Sequence, residues 1–361
     1  MAYTGTGTEQ DPYLVSTMAD FVECASKSMA YVKVIANIDA SKEAAFKDGY
    51  TSAIELNAYV YADGIKKIEN VTIQSGNMLI ATTGTTIENI FFNNWNHHKT
   101  KGGISVYAQY SSFRNCYFSM DMNDDTFGCG LLGKDSANTT GDTFINCVFH
   151  VRFTSGTLLQ STFTSLLNNV SVNKCTFWLE NFATTIARIS DSRTSVIECT
   201  FVGDVLSLKE PDPYFPNPVL NLFAASSYVF SKNVFAMHVT SKDDAQLGMS
   251  FNDAYWLIDT DIWGNNVYNS TVSSSCHTLK TEQIKSREFL EENTDFFDGL
   301  TSTWLFNENF EGYPHPAEFP PENPLTLMLG SVPVQRAYLG TVLVWKKNGI
   351  NKFITENLIQ N

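Results

Sequence analysis

A six-residue pattern of apolar and polar positions recurs along the middle of this chain. Each copy has an apolar residue, two variable residues, an anchor residue, one variable residue and a final apolar residue, which is usually Phe. The anchor is Cys in four copies and Asn or an aliphatic residue in the others. Because residues two apart on a strand point to the same side, the anchor and the final residue are predicted to share one interior. The copies are 68–73, 87–92, 113–118, 144–149, 172–177, 196–201, 230–235 and 263–268.

The spacing of these copies predicts a solenoid. The steps between successive anchors range from 19 to 34 residues, as expected for a coil of short strands whose turns accept insertions. Each copy then supplies a strand to one rung. The predicted fold class is all-β, a right-handed single-stranded parallel β-helix with an N-terminal helical cap and a small C-terminal β module.

The residues at and beside the anchors predict structure rather than chemistry. Asn89, Asn115 and Asn146 precede their anchors, where a bend is needed, and Asn accepts left-handed backbone geometry. Stacked rungs lie about 4.8 Å apart, so equivalent side chains should form interior ladders. Small, weakly polar thiols suit a tight interior corner better than a metal or redox site. The predicted ladders are Cys116, Cys147, Cys175 and Cys199 beside Phe118, Phe149, Phe177 and Phe201.

Composition narrows the function classes. The formal net charge of −14 disfavours binding to nucleic acid or to anionic membrane surfaces. No apolar stretch is long enough for a membrane span, and the first residues lack the basic and apolar regions of a secretory signal. Seven cysteines without a CxxC pair predict reduced thiols and no zinc site. No cofactor or metal is predicted.

The ends of the chain are predicted to close the solenoid. We expect a strand and short helix within 1–48 to cover the first rung and the rungs to occupy 49–275. Residues 276–324 are expected to contain a cap that plugs the last rung and a Pro-rich linker. The remaining 325–361 are too short to bury a core alone. They are predicted to be an attachment or oligomerisation module, with Tyr338, Leu339 and Trp345 as its contact residues.

Three phrases carry a resemblance to known proteins. Residues 5–21 (GTGTEQDPYLVSTMADF) and 60–73, together with the repeats, resemble right-handed β-helix proteins of the pectate-lyase-like superfamily found in bacteria and their phages. Residues 277–316 are similar to the closing segment of bacterial and phage β-helix surface proteins. Residues 334–345 resemble a strand pair of phage tail and other virion proteins.

The resemblance implies a bacteriophage structural protein on the virion surface, made in the host cytoplasm. It would be a fibre, spike or decoration of head or tail that contacts other virion proteins through its C-terminal module. It would adhere to host-surface carbohydrate and form a homo-oligomer, a trimer by likeness to phage fibres. A bacterial surface adhesin is a further alternative, which the lack of a signal disfavours.

Candidate binding residues are aromatic side chains outside the repeat positions. Such rings stack on sugars or bury in protein contacts, and the loop 209–218 projects two of them from a Pro-stiffened arm. These candidates are Tyr107, Tyr110, Trp178, Tyr214, Phe215 and Trp256.

The enzymatic alternative is a polysaccharide depolymerase, either a tailspike glycosidase or a lyase. Glycoside hydrolysis needs two carboxylates about 5 to 10 Å apart on a solvent face. Asp259 and Asp261 alternate onto one face if they lie on a strand. Asp121, Asp124 and Asp125 form a second acidic group, without calcium-loop spacing or an evident basic partner.

Overall fold

The computed structural model divides the chain into two compact units, one ending at Glu318 and one beginning at Phe319. The boundary falls within the predicted 276–324 segment. The structure describes residues 3–82, 84–99, 103–124, 129–133, 143–153, 165–168, 170–182, 185–187, 194–207, 223–224, 229–241, 247–250, 256–259, 261, 267–268, 276–320, 328–329, 332–333, 336–339 and 342–346.

The first unit is an all-β parallel solenoid. In its larger sheet most rungs contribute a short strand, a corner and a longer strand, and each strand pairs in parallel with the equivalent strand of the next rung. The strands of this sheet are Tyr13–Val15, Tyr31–Val34, Ile38–Asp39, Tyr59–Glu69, Thr72–Ile73, Thr86–Lys99, Ser112–Arg114, Tyr117–Asp124, Thr143–Ile145, Val148–Phe153, Ser171–Asn173, Thr176–Phe182, Ser195–Ile197, Thr200–Ser207, Val229–Ser231, Asn233–Ser241, Trp256–Asp259 and Cys276–Leu279.

A second parallel sheet forms the other side of the coil. Its strands also pair rung by rung, so both walls enclose one apolar interior. They are Ile54–Glu55, Leu79–Ala81, Gly103–Ala108, Cys129–Gly133, Ser165–Asn168, Thr185–Ala187, Phe223–Ala224, Leu247–Ser250 and Val267–Tyr268.

Helices are short and lie near the two ends of the solenoid. The helix Met18–Ala25 starts at Thr17, whose side chain accepts a hydrogen bond from the Asp20 backbone N–H, and its residue Phe21 is buried in the interior cluster. No helix in the described part of the chain is long and apolar enough to cross a membrane. The other helices are Ala44–Lys47, Thr281–Ile284 and Arg287–Asn293, with 3₁₀ turns at Ala40–Lys42 and Glu308–Phe310.

Six of the eight predicted repeats lie in register. Their first apolar residues pair in sequence from one rung to the next, and their final aromatic residues do the same. The two columns are Ile87, Phe113, Phe144, Val172, Val196 and Phe230, and then Phe92, Phe118, Phe149, Phe177, Phe201 and Phe235.

The first and last predicted repeats were aligned wrongly. In the strand Thr86–Lys99 two corners occur five residues apart, at Asn89 and Asn94, and Ile68 pairs with Phe92 rather than with Ile87. The true step here is 24 residues, because Ile68 pairs with Phe92 and Ile73 pairs with His97. The pattern selected the corner at Asn89 instead, since the segment there ends in Phe92 and the segment at Asn94 ends in His97. At the other end, Phe235 pairs with Ile258, so the strand Trp256–Asp259 forms that rung instead of 263–268.

Side chains inside the coil stack in ladders. Successive rings from Phe118 to Phe201 lie 4.7 to 4.9 Å apart and nearly parallel. The four repeat cysteines are fully buried on successive rungs, and each thiol donates to a backbone carbonyl of the preceding rung, as Cys147 does to Phe113 at 3.5 Å. Burial raises the pKa of Cys147 and of Cys199, so these groups are neutral thiols that fill space and satisfy carbonyls.

The corner before each anchor has left-handed backbone geometry. Asn89, Asn115 and Asn146 all have positive φ, and their amides form a chain in which Asn146 donates to Asn115 at 2.7 Å and Asn115 donates to Asn89 at 3.3 Å. On the next rungs the same position is occupied by charged residues. These are Lys174, Glu198 and Lys232, with φ of 54°, 52° and 55°.

Residues 294–318, here called the closing segment, run along the outer face of the larger sheet. Pro314 accepts a hydrogen bond from Thr200 at 2.7 Å, and Ala317 exchanges hydrogen bonds with Thr176 on the rung before it. The segment therefore returns along earlier rungs, whereas the sequence had predicted that it plugs the last rung. The physical reason is the burial of apolar side chains on the outer face. Val202 and Val234 point away from the interior yet are buried, so the closing segment removes them from water.

The second unit is described only through its strands. Met328–Leu329 pairs with Val332–Pro333, and Arg336–Leu339 pairs with Val342–Lys346, both antiparallel. Tyr338 lies opposite Leu343, and Trp345 lies opposite Ala337. The side chains of Tyr338, Leu339 and Trp345 fall outside the described residues, and their role in attachment stays a prediction.

Candidate functional site

A row of charged side chains crosses the outer face of the larger sheet. Asp121, Arg152 and Glu180 occupy directly paired positions on three successive long strands. Arg152 Nη1 lies 3.6 Å from Asp121 Oδ1, and Arg152 Nε donates to Glu180 Oε2 at 3.2 Å. All three side chains are partly exposed. One guanidinium therefore holds two carboxylates in place on a solvent-facing surface.

A histidine and a tryptophan lie beside this row. The His150 and Trp178 rings stack 4.3 Å apart at 12°, and His150 Nε2 lies 2.6 Å from Glu180 Oε1. Phe310 of the closing segment packs edge-on against Trp178, with ring centroids 6.1 Å apart. We call Asp121, His150, Arg152, Trp178 and Glu180 the charged row. The strand register places these residues side by side, and Phe310 of the closing segment packs against one of them.

The electrostatics keep the Glu180 carboxylate ionised. Burial alone would raise its pKa, but the hydrogen bond from His150 and the charges of His150 and Arg152 outweigh burial, and the pKa is lowered. An ionised carboxylate that only accepts hydrogen bonds requires His150 to carry its hydrogen on Nε2. The row can accept hydrogen bonds from hydroxyl or amino groups and donate through the guanidinium. A general acid near neutral pH needs a carboxyl group with a raised pKa, and the pKa of Glu180 is lowered instead.

Asp259 and Asp261 do not form a solvent-facing pair. Asp259 ends the strand Trp256–Asp259, is fully buried and accepts hydrogen bonds from the Tyr313 hydroxyl at 2.7 Å and from Thr281 Oγ1 at 3.0 Å. Asp261 lies beyond the strand end and accepts from the Thr281 backbone N–H at 3.0 Å. Both carboxylates bind the start of the helix Thr281–Ile284, so their contacts are structural. Tyr313 lacks any ready acidity, because burial and its hydrogen bond to Asp259 raise its pKa.

The remaining predicted binding residues are scattered. Tyr110 is 52% exposed and lies in a turn with φ of 57°, whereas Tyr107 is half-buried on the strand Gly103–Ala108 of the other sheet. Neither lies on the sheet face that carries the charged row. The backbones of Asp124 and Trp256 are described but their side chains are not, and Asp125, Tyr214 and Phe215 lie outside the described residues.

The structure thus brings together two predicted residues, Asp121 and Trp178, and adds three that the sequence analysis missed. The missed residues are His150, Arg152 and Glu180. A signal for them exists in the numbering: Asp121, Arg152 and Glu180 each lie five residues after a ladder cysteine, and His150 and Trp178 each lie three after one. An odd offset from an inward anchor places a side chain outside, so these positions form outward columns.

Neither a metal-binding cluster nor a comparison with known proteins indicates the role of this site. Within the described ranges, no group of three or more His, Cys, Asp or Glu residues is placed to hold a metal ion. No family model, no curated protein and no solved structure matches the chain. Fold and site together define the class as a parallel β-solenoid with a charged row on one outer face.

Proposed function

We propose that this chain is a glycan-binding β-solenoid displayed on a bacteriophage particle, and that the charged row is its sugar-binding site. The proposal depends most on one observation. Asp121, Arg152 and Glu180 lie beside the stacked rings of His150 and Trp178 on one outer face. The handedness belongs to the same proposal: connections between parallel strands are right-handed in nearly all known folds. A right-handed coil is also what the resemblance to pectate-lyase-like proteins implies.

The chemistry of the row suits hydroxyl-rich ligands. A sugar presents alternating donors and acceptors, and the row offers both within a few ångströms: two carboxylates and a guanidinium with five N–H donors. Hydrogen bonds to ionised groups are stronger than neutral ones. The groups are held in place before any ligand arrives, because each bonds its neighbour across the strands, so little side-chain entropy remains to be lost on binding.

Binding is favoured over hydrolysis by the charge state of the row. Asp121 and Glu180 lie two rungs apart, roughly 10 Å, which is near the wide end of carboxylate spacings in inverting glycosidases. Such an enzyme, however, needs one carboxyl group protonated before attack. Glu180 has a lowered pKa, and Arg152 lies between it and Asp121. Glu180 is therefore unsuited to be the acid that the depolymerase alternative requires.

The two ends complete the proposal. The helix Met18–Ala25 buries Met18, Phe21 and Cys24 against the first strands, and we assign it the role of N-terminal cap. The second unit, with its antiparallel pair Arg336–Leu339 and Val342–Lys346, is proposed to attach the solenoid to other virion proteins. The virion assignment itself depends on the sequence phrases that resemble phage proteins.

The test is binding of the full chain to host-type glycans, measured on a glycan array and then by titration calorimetry. Glu180→Ala removes the carboxylate that both His150 and Arg152 contact, and we expect binding to weaken at least about tenfold, since one such contact is worth roughly 1.5–3 kcal/mol. Glu88→Ala is the matched control. Glu88 is a half-buried carboxylate on the strand Thr86–Lys99 and accepts a hydrogen bond from Tyr59 at 2.7 Å, away from the charged row.

The same samples are assayed for released reducing ends and unsaturated products. Binding that falls with Glu180→Ala, persists with Glu88→Ala and releases no product supports the proposal. Turnover of the glycan would replace it with the depolymerase alternative. Absence of binding to any glycan on the array and to whole host cells would overturn it.

A further inference from the structure

The charge around the row is one-sided. Asp121 and Glu180 share the single guanidinium of Arg152, so carboxylates outnumber guanidinium groups at the centre of the row. The closing segment brings two further carboxylates to the same outer face. Glu311 lies 3.3 Å from His238, and Glu318 lies 3.6 Å from His315.

The histidine beside Glu318 does not balance the charge of that carboxylate at neutral pH. Burial lowers the pKa of His315, so it is neutral beside Glu318, whose own pKa is lowered by hydrogen bonds from Asn307 and Asn309 against the effect of burial. The Glu180 carboxylate is likewise ionised. Across the face, four carboxylates accompany one guanidinium, and the whole chain carries a formal charge of −14.

Resting on the proposed glycan-binding function, we infer that the charged row selects glycans that carry free amino groups. An ammonium group offers three N–H donors and a positive charge to either Asp121 or Glu180, both of which are partly exposed. An acetylated amino sugar offers one N–H and no charge, and a uronic acid brings a negative charge toward the carboxylates. Like charges across an interface are disfavoured, and complementary charges speed and strengthen association.

The position of the carboxylates strengthens this assignment. Glu180 is fixed on two sides, by His150 at 2.6 Å and by Arg152 at 3.2 Å, so it cannot turn away from an approaching charge. Among the described residues, Asp121 has one ion-pair contact, through Oδ1 at 3.6 Å, so its Oδ2 can accept from a ligand. A polymer that lies along the solenoid axis would meet these carboxylates at successive positions about two rungs apart.

The experiment compares two oligomers that share one backbone and differ in charge, and adds an acidic oligomer of another backbone. Chitosan oligomers (free amines) and chitin oligomers (acetylated) of equal length are titrated into the full chain at low and at moderate salt, with oligogalacturonate as the acidic arm. We expect the free amines to bind at least about tenfold tighter than the acetylated form. This preference should shrink as salt rises, because exposed charges are screened within about 8 Å at physiological ionic strength.

Two charge-removing variants locate the effect. Glu180→Gln and Asp121→Asn keep shape and should each reduce the preference for the free amine several-fold. Glu291→Gln removes the same charge from an exposed helix residue paired with Arg287, and should leave the preference unchanged. Amine binding that neither row variant alters, or acetylated and acidic oligomers that bind as well as the amine, would overturn the inference while the proposed function stands. If no oligomer and no arrayed glycan binds, the proposed function itself falls.

Discussion

Glu198 is the residue on which we expect attachment of the closing segment to depend most. Its side chain is buried at a corner of the solenoid, and its carboxylate accepts hydrogen bonds from the Thr301 backbone N–H at 3.0 Å, from Thr301 Oγ1 at 3.1 Å and from Ser302 Oγ. Glu198→Ala removes the acceptor for all three donors. A hydrogen bond to a charged group contributes about 1.5–3 kcal/mol when its loss leaves a buried partner unsatisfied.

The net cost is smaller than the sum, because Thr301 is exposed and water reaches it once the contact opens. We therefore expect Glu198→Ala to weaken docking of the segment by about 2–4 kcal/mol. Glu198→Gln, which keeps one acceptor oxygen, should cost about 1 kcal/mol. In hydrogen exchange followed by mass spectrometry, the Ala variant should speed exchange in the closing segment by roughly 30- to 1000-fold, at about 1.4 kcal/mol per tenfold.

Exchange in the strands Tyr31–Val34 and Tyr59–Glu69 should not change, because these paired strands lie several rungs before the corner that holds Glu198. Glu291→Gln serves as control for the loss of one glutamate charge on an exposed ion pair, which is worth at most about 1 kcal/mol. Unchanged exchange in 294–318, or a uniform increase throughout the solenoid, would refute the reasoning.

Three further predictions concern buried groups. Tyr313→Phe removes the hydroxyl donated to the buried Asp259 at 2.7 Å and should cost about 1.5–3 kcal/mol in urea unfolding; a change below about 0.5 kcal/mol would contradict the contact. Burial lowers the pKa of His315 below 6.5, so its neutral form stabilises the fold above that pH, and this contribution is lost as pH falls below it. His315→Gln should therefore make the melting temperature depend less on pH below 6.5. A melting temperature that falls with pH as steeply as in the unmodified protein would contradict this. The thiols of Cys147 and its ladder neighbours are fully buried and should react with a thiol reagent only after unfolding, while Cys147→Ala should cost about 1–2 kcal/mol; rapid native labelling at these positions would disprove an interior ladder.

The solenoid was predictable where one strong signal repeats. An inward aromatic such as Phe149 must stack on Phe177 of the next rung, so the pattern that buries one ring fixes the register of the next. The signal failed at the ends of the repeat. The strand Thr86–Lys99 holds two Asn corners, and sequence alone does not decide which corner continues the column.

The course of the closing segment was harder to predict, although the apolar pattern of one strand indicates that a segment covers it. A strand with one face in solvent alternates, yet Val234, Phe235, Ala236 and Met237 are apolar without interruption and all are buried. Such a run indicates cover on both faces. It does not identify the cover, because the partner lies about eighty residues later in the chain and its hydrogen bonds, such as that from Thr200 to Pro314, depend on tertiary geometry alone.

The charged row shows the same division. Its columns follow from counting outward from the anchors, but the sequence does not say that Arg152 will join two carboxylates or that His150 will stack on Trp178. Those contacts depend on strand order and on the stacking distance between rungs. Asp121 was a candidate because it is an acidic residue, whereas its place in a cluster follows only from the register of the strands.

The corner residues link the fold to the closing segment. Left-handed geometry costs L-residues about 1–2 kcal/mol, and Asn bears it best among residues with a side chain. Asn occupies the corner at Asn115 and Asn146, but the three rungs beside the closing segment use Lys174, Glu198 and Lys232 instead. Each reaches that segment: Lys174 Nζ donates to Thr301 O at 3.4 Å, and Lys232 Nζ donates to Asp295 O.

We therefore expect that the backbone strain at these corners is offset by contacts with the closing segment. Replacing Lys174, Glu198 and Lys232 together with Asn should leave the melting of the solenoid unchanged or slightly raised, while protease cleavage within 294–318 becomes faster. The two effects must separate, because Asn relaxes the corner and also removes the long polar side chain that reaches the segment. A triple variant that melts lower throughout, or whose segment resists cleavage as before, would show that these residues serve the corners and not the segment they contact.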